Sequence, residues 1–418
     1  MNLKLKKFFL RLKKEKLKYI FFLLRKNFLN IFIFLLTIPI CIVIILIYPI
    51  IFLRFGSLCS DKIGPFSAIP EMNLCEQETG LQPKNTLNIY SSSHTGFICN
   101  SQLFKMWKRK FTVQNWSSHI LNAFNYLPFG KKHIIFPNYY SRDIHGLLNQ
   151  TKTHLKFTKS EIEHGEREVE KMGLKNKKFI LMINRGSRYL KEIYDFKIDF
   201  SYHSYRNSPI LDYMPAAEQL TKKNYHVVRV GHLVDDKIES SNEKIIDYDN
   251  SGLRTDFLDI YLSSKCEYIF GTDTGFVAVP GWNFRKPVLY VNFSQLEYLE
   301  PWLPSWLMIF KKYWLINEKR FMKIDEIIKS GYGRFHETND FKKVGVELIN
   351  NTPSEVTDVN LEMEKRINGR WEETEEDLDL QKKFWSNFEK SKLHGNFLGK
   401  IGSDFLKENK NLFLSKLN

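Results

Sequence analysis

The chain has 418 residues, too many for one compact core, so two domains with additions are expected. It is 43% hydrophobic and 26% charged, which excludes a disordered chain. The net charge is +15, but residues 1–27 hold ten Lys or Arg against Glu15 alone, leaving +6 for the other 391.

No charged residue occurs across the 26 positions from Phe28 to Leu53. A basic stretch that runs straight into an apolar one points to phospholipid rather than nucleic acid. A helix of that length would exceed the ~30 Å hydrocarbon layer. A cleaved signal peptide does not fit, because both stretches are too long and no small-residue site follows. The positive charges place the N-terminus on the cytoplasmic side. Pro39 and Pro49 permit a re-entrant hairpin bent near Pro39, and a single kinked crossing is the alternative. Residues 1–27 are therefore read as a basic cytoplasmic segment and 28–53 as a membrane segment, re-entrant or spanning.

Residues 54–173 read as a mixed α/β domain. Short strands are expected at Leu87–Tyr90 and His133–Phe136, and a helix near Asn100–Arg109 with Asn100 as its cap. A second helix is expected over Glu161–Met172, opened by a capping box of Ser160 and Glu163 and closed by Gly173. Leu174–Lys178 reads as a linker. From Phe179 apolar runs alternate with helical ones: Phe179–Ile183, Tyr225–Val230, Lys244–Ile246, Glu267–Phe270 and Pro287–Val291. Helices are expected near Pro209, at Asp256–Ser264 and after Gly275. This alternation predicts a parallel sheet with helices on both faces across a domain spanning 174–335. Residues 336–418 predict a helical tail that packs across both domains.

The five cysteines, Cys41, Cys59, Cys75, Cys99 and Cys266, are scattered. They form no C-x-x-C pair and no tight cluster with histidine, which predicts reduced thiols, a cytosolic body and no metal site.

Phe270-Gly271-Thr272-Asp273-Thr274-Gly275-Phe276 follows a strand and opens a helix. Its glycines allow close approach, the helix start attracts anions, and Thr272 and Thr274 add hydroxyls, so a diphosphate fits. Asp273 would repel phosphate and suits a sugar or ribose hydroxyl, or a helix cap. His203-Ser204-Tyr205-Arg206 and Arg185 lie at the same predicted end of the sheet, where arginines bind phosphate oxygens in pairs. Surface or ion-paired arginines are the plainer reading. Arg254, Thr255 and Asp256 precede the next helix, as cap or as ligand. Candidate bases in the first domain are His94, Asp143 and His145, and no spacing singles one out. Asp377-Leu378-Asp379 has metal-site spacing but lies in an acidic helical run. Trp302–Trp314 reads as core or membrane-facing surface.

The segment His203–Gly231, HSYRNSPILDYMPAAEQLTKKNYHVVRVG, resembles a little-characterised bacterial glycosyltransferase family with the pattern YRNSxI…YxPAxExLxxxGYxVxRxG. Arg254–Val291 and Asn100–Arg109 resemble it as well. Thr272–Gly275 is similar to the donor-phosphate loop of heptosyltransferases. The chain departs from the family at Pro65, where a histidine is usual, and at Gly186, where aspartate usually follows the arginine.

The resemblance implies a GT-B-like α/β fold, two Rossmann-like domains around a cleft. It implies a metal-independent glycosyltransferase with no cofactor beyond its nucleotide-sugar substrate. The acceptor would be a cell-envelope glycan or a lipid-linked molecule, at the cytoplasmic face of a bacterial inner membrane. On this reading Arg185, His203, Tyr205, Arg206, Arg254, Asp256 and Thr272–Gly275 bind the donor. The alternative is a non-catalytic nucleotide- or sugar-binding scaffold of an envelope assembly complex.

Overall fold

The computed structural model describes residues 18–93, 96–136, 142–188, 192, 201–234, 236–388 and 393–413. Among them the helices of eight residues or more are α1 (Lys18–Leu46), α2 (Ile63–Glu78), α3 (Ser101–Lys108), α4 (Ser117–Phe124), α5 (Lys159–Lys171), α6 (Met214–Lys222), α7 (Asp256–Lys265), α8 (Pro353–Ile367) and α9 (Glu375–Trp385). The chain divides into two compact units. One takes residues up to Cys59, 83–97 and 108–136, and the other takes 60–82, 98–107 and 137 onward.

The smaller unit carries a parallel sheet of β1 (Phe52–Ser57), β2 (Thr86–Ser91) and β3 (Thr112–Val113), in that order. α1 packs Cys41 and Ile44 against Ile120, Leu121 and Phe124 of α4. The helix runs unbroken through Pro39, so no hairpin bends there. The chain turns at residues 47–50 instead, next to Pro49. Among the described residues no helix is long and apolar enough to cross a membrane. The expected membrane segment at 28–53 is not a single element, since its helical part ends at Leu46. Its last two residues, Phe52 and Leu53, open β1 and pair with Thr86 and Leu87. The expected strand at His133–Phe136 is a single bridge from Ile134 to Phe55, preceded by a 3-10 turn. The buried His133 ring, its Nδ1 2.7 Å from the Leu53 carbonyl, takes the place of a strand there.

The larger unit is built on β4 (Phe179–Ile183), β5 (His226–Arg229), β6 (Ile245–Asp247), β7 (Ile269–Gly271), β8 (Val288–Phe293) and β9 (Leu307–Phe310). A small antiparallel sheet holds β10 (Lys312–Leu315), β11 (Arg320–Phe321) and β12 (Val346–Ile349). β13 (Lys400–Ile401) comes from the tail and extends the main sheet. That sheet is parallel throughout, in the order β13-β9-β8-β7-β4-β5-β6. Every residue of β4 and β8 is buried, as a sheet covered on both faces requires.

From β4 the chain winds outward through β5 to β6, then returns to β7 and winds the other way. The carboxyl ends of β4 and β7 therefore lie side by side where the winding reverses, the position at which doubly wound sheets hold ligands. Gly271 makes that adjacency possible. It pairs with Ile183, and a Cβ there would sit 1.8 Å from the Ile183 carbonyl oxygen.

Two boundaries differ from the sequence reading. α5 starts earlier, because the capping box is Thr158 with Glu161 rather than Ser160 with Glu163. After Gly275 there is no α-helix but a three-residue 3-10 turn and then a single π turn over Val279–Asn283. Pro280 has no N–H for an α-helical ladder.

Replacing Gly271 by alanine should destabilise the larger unit by about 3 kcal/mol, since the β4–β7 pair must part to admit the methyl group. Urea denaturation of the full chain measures it. An unchanged midpoint would mean that the two strands do not approach this closely.

Candidate anion-binding site

β4 hands the chain to Asn184 and Arg185, and β7 hands it to Thr272, Asp273 and Thr274. A third segment, Ser201–Arg206, is a 3-10 turn that lies against both. Asn184 Nδ2 donates to the Ser208 carbonyl at 3.0 Å, and the Ser208 N–H donates to the Arg185 carbonyl at 3.4 Å. The buried Lys311 ammonium, just past β9, donates to the carbonyls of Tyr205 and Asn207, both at 2.8 Å. Arg206 lies between these two carbonyls in sequence and is held from behind.

Arg206 Nε donates to Asp273 Oδ2 at 3.1 Å, and its Nη2 donates to the Asp273 backbone carbonyl. The sequence reading brought Arg206 to this loop, and the structure places it there. The partner differs, because Arg206 grips protein and ties the 201–208 segment across the sheet ends. Asp273 is the acceptor in that tie. The remaining guanidinium is that of Arg185. Its Nε is buried and has no hydrogen-bond partner among the described residues.

Burial and the neighbouring Arg206 push the Arg185 guanidinium down to about 10, so it stays charged at neutral pH. Burial lowers the Lys311 ammonium to about 8. Burial, together with Arg185 and Arg206, pushes His203 down to about 4, so its ring is neutral at pH 7. Its Nδ1 is buried and unpartnered among the described residues, as are Thr272 Oγ1, Thr274 Oγ1 and Asp273 Oδ1. Burial raises the Glu300 carboxyl, against the opposing pull of Arg142, and Asp273 adds to the rise. Three cations, Arg185, Arg206 and Lys311, set against the two carboxyls of Asp273 and Glu300 leave a positive surplus. Each buried polar atom without a partner costs ~1–3 kcal/mol, a cost that an anion with several oxygens would remove.

The two loop glycines do not serve a ligand. Gly271 faces Ile183, and a Cβ on Gly64 would lie 2.8 Å from the Cα of Gly275. With only a 3-10 turn after Thr274, the expected helix dipole is replaced by side-chain cations. Tyr205 is buried with its ring 5.4 Å from Phe341, and burial lifts its hydroxyl to about 12.

Arg254 and Asp256 belong to a separate network. Arg254 Nη2 donates to Asp259 at 2.7 Å, and Asp256 Oδ2 accepts from the Ser101 N–H at 2.8 Å, fastening α7 to the start of α3. Asn100 caps α3 as read from the sequence, accepting from the Leu103 N–H at 2.8 Å. Asp143 accepts from the N–H groups of Leu147 and Leu148 at 2.6 and 2.8 Å, so both its oxygens cap a short helix. His145 is exposed, and both residues belong to the larger unit. His94 lies outside the described residues.

Sequence reasoning missed Lys311, although a lysine inside the apolar run Leu307–Leu315 was a usable signal. It also expected no tight Cys/His cluster, and the structure corrects this. Glu71 and Cys75, one turn apart on α2, meet His154, and the donor atoms of the three lie within 4.8 Å of one another. Residues so distant in sequence leave no spacing to read. This set could hold a metal ion, but protein cations already serve it. Arg285 Nη2 is 2.8 Å from Glu71 Oε1 and donates to Cys75 Sγ at 3.4 Å. His154 Nδ1 is 2.9 Å from Glu71 Oε1 and its Nε2 3.1 Å from Glu78 Oε2. Burial alone would lower His154. Hydrogen bonds to Cys75 and Glu71 overcome it and hold the ring up at about 10.

No family model matches the chain, and no curated protein matches it. Two solved structures align with it. A glycosyl transferase family 9 protein from Veillonella parvula gives a TM-score of 0.38 at 8% identity, covering 62% of this chain and 86% of the other. The ADP-heptose LPS heptosyltransferase II of E. coli gives 0.34 at 10% identity, covering 62% and 90%. Likeness of this degree fixes neither fold nor chemistry, which rest on the geometry above.

The His154 network makes a signed prediction. Its folded pKa lies above the ordinary 6.5, so its stabilisation is complete below pH 6.5 and lost as pH rises through about 10. In urea titrations His154→Gln should flatten that alkaline decline. Arg285→Met should cost about 2 kcal/mol at neutral pH, since the buried Glu71 carboxylate then keeps only His154 as a cationic partner.

Proposed function

We propose that this chain is a glycosyltransferase of GT-B type that moves a sugar from a nucleotide-sugar donor to a glycan or lipid-linked acceptor. The observation that carries the reading is the buried, unpartnered Nε of Arg185 at the reversal point of a doubly wound sheet, beside the unpartnered atoms of His203, Thr272 and Thr274. A nucleoside diphosphate is the ligand class that such a position and charge suit. The family pattern over His203–Gly231 and Arg254–Val291 supports the same reading.

In the transfer the bond from the anomeric carbon to the diphosphate breaks, and negative charge collects on the leaving phosphate oxygens. Arg185 and Lys311 would offset that charge without a metal ion. Arg206 and Asp273 would keep the two loops in register. The neutral His203 ring would donate or accept one further hydrogen bond. The acceptor-activating base is left unassigned, since Asp143 is occupied as a cap. An acceptor at the bilayer fits the basic N-terminal segment and the apolar helix after it, and the location proposed with it is the cytoplasmic face of a bacterial inner membrane.

Isothermal titration with nucleoside diphosphates tests the donor site. Arg185→Ala should weaken binding at least tenfold. Affinity should fall as pH rises through about 8, where Lys311 loses its proton, and Lys311→Met should abolish that dependence. Binding that ignores both changes would place the donor elsewhere. Tight binding without slow release of nucleoside diphosphate from the sugar nucleotide would favour the scaffold alternative.

A further inference from the structure

α1 has two contrasting sides. Phe34, Thr37, Cys41, Ile44 and Ile45 recur at three- and four-residue steps and are covered or half covered. They face α4, with Cys41 Sγ 4.0 Å from the Ile120 carbonyl. The opposite side carries Ile31, Phe32, Leu35, Leu36, Ile40 and Val43, each at least half exposed. An apolar face this long, left open on an aqueous surface, marks a partner site.

The seam with α4 decides how that face can meet a bilayer. Contacts accompany α1 from Phe34, whose ring is 5.7 Å from Tyr126, to Tyr48, whose ring lies 3.6 Å from Lys132 Nζ. The helical part of that stretch, from Phe34 to Leu46, covers about 18 Å, more than half of the ~30 Å hydrocarbon thickness. A crossing α1 would drag α4 and the polar backbone after it into hydrocarbon, where unsatisfied groups cost several kcal/mol each.

The segment joining α4 to the 3-10 turn runs along the edge of that seam, with Tyr126 against Phe34 and Lys132 against Tyr48. It reads Asn125-Tyr126-Leu127-Pro128-Phe129-Gly130-Lys131-Lys132. Tyr126 is 73% exposed and Phe129 is 77% exposed, and both lysines after them are exposed. Phe129 takes a left-handed backbone with φ of 62°, which is uncommon for a bulky residue. Aromatic tips followed by lysines match the boundary between acyl chains and anionic headgroups.

We infer that α1 lies flat in the surface of an anionic phospholipid bilayer, and that Tyr126 and Phe129 insert beside it while Lys131 and Lys132 meet the headgroups. This rests on the membrane attachment proposed above and adds its orientation and a second contact. The ten basic residues in 1–27 supply further attraction to the same surface.

The test uses the full chain with an N-terminal epitope tag and sealed phosphatidylcholine–phosphatidylglycerol vesicles. p-Benzoylphenylalanine is placed at position 129 and, in separate samples, at 40 and at the exposed control position 211. The chain should float with the vesicles, and illumination should give lipid adducts at 129 and 40 but not at 211. The tag should stay open to antibody in intact vesicles. Tyr126→Ala with Phe129→Ala should lower partitioning at least fivefold, and phosphatidylcholine alone should bind less than the mixture.

Failure to float would overturn the membrane attachment itself, and the inference with it. Flotation with no lipid adduct at 129, with a cross-linked dimer there, or with a shielded tag would overturn the inference alone.

Discussion

The larger unit depends on how closely β4 and β7 approach at Ile183 and Gly271. A side chain at Gly271 would collide with the Ile183 carbonyl, so only glycine lets the strands pair to their ends. The two loops that follow then emerge next to each other, and the winding of the sheet leaves that place uncovered by a crossover. The position of Arg185 relative to Thr272 and Asp273 follows from this backbone constraint.

Charge is arranged around that fixed point with a division of labour. Arg206 is tied to protein oxygens, and Lys311 is tied to the carbonyls on either side of it. These two cations order the segment, whereas Arg185 keeps a donor uncommitted. Burial weakens the hold of Lys311 and His203 on their protons, so the net charge of the site varies over an accessible pH range. A ligand with several anionic oxygens would reverse both shifts on binding.

Much of the larger unit was legible because its buried strands are plain apolar runs. Phe179–Ile183 matched β4 to the residue and the other four expected strands fell within two residues, whereas β9 was not read as a strand. Patterns that depend on distant partners were not legible. β13 is two residues long and exists only because β9 offers an edge. In the apolar run before Phe52, the residues that pack on α4 could not be told from those that stay exposed, because both sets draw on one alphabet. Thr158 and Ser160 both suit a cap, and only the Glu161 side chain reaching back decides between them. In the site, residue types were legible but their partners were not. Asp256 and Asp143 looked available and are spent on backbone N–H groups.

β13 has a consequence for the order in which the chain can be completed. β9 is buried along its whole length, and Lys400 and Ile401 supply its outer neighbour, with Gln381 clasping Ile401 through both its amide and its carbonyl. During synthesis the strand is made some ninety residues before its cover. Until the tail arrives, it presents a hydrophobic row of open N–H and C=O groups to any extended chain nearby. The interval of greatest hazard for a nascent molecule therefore falls late, when most of the fold is already in place.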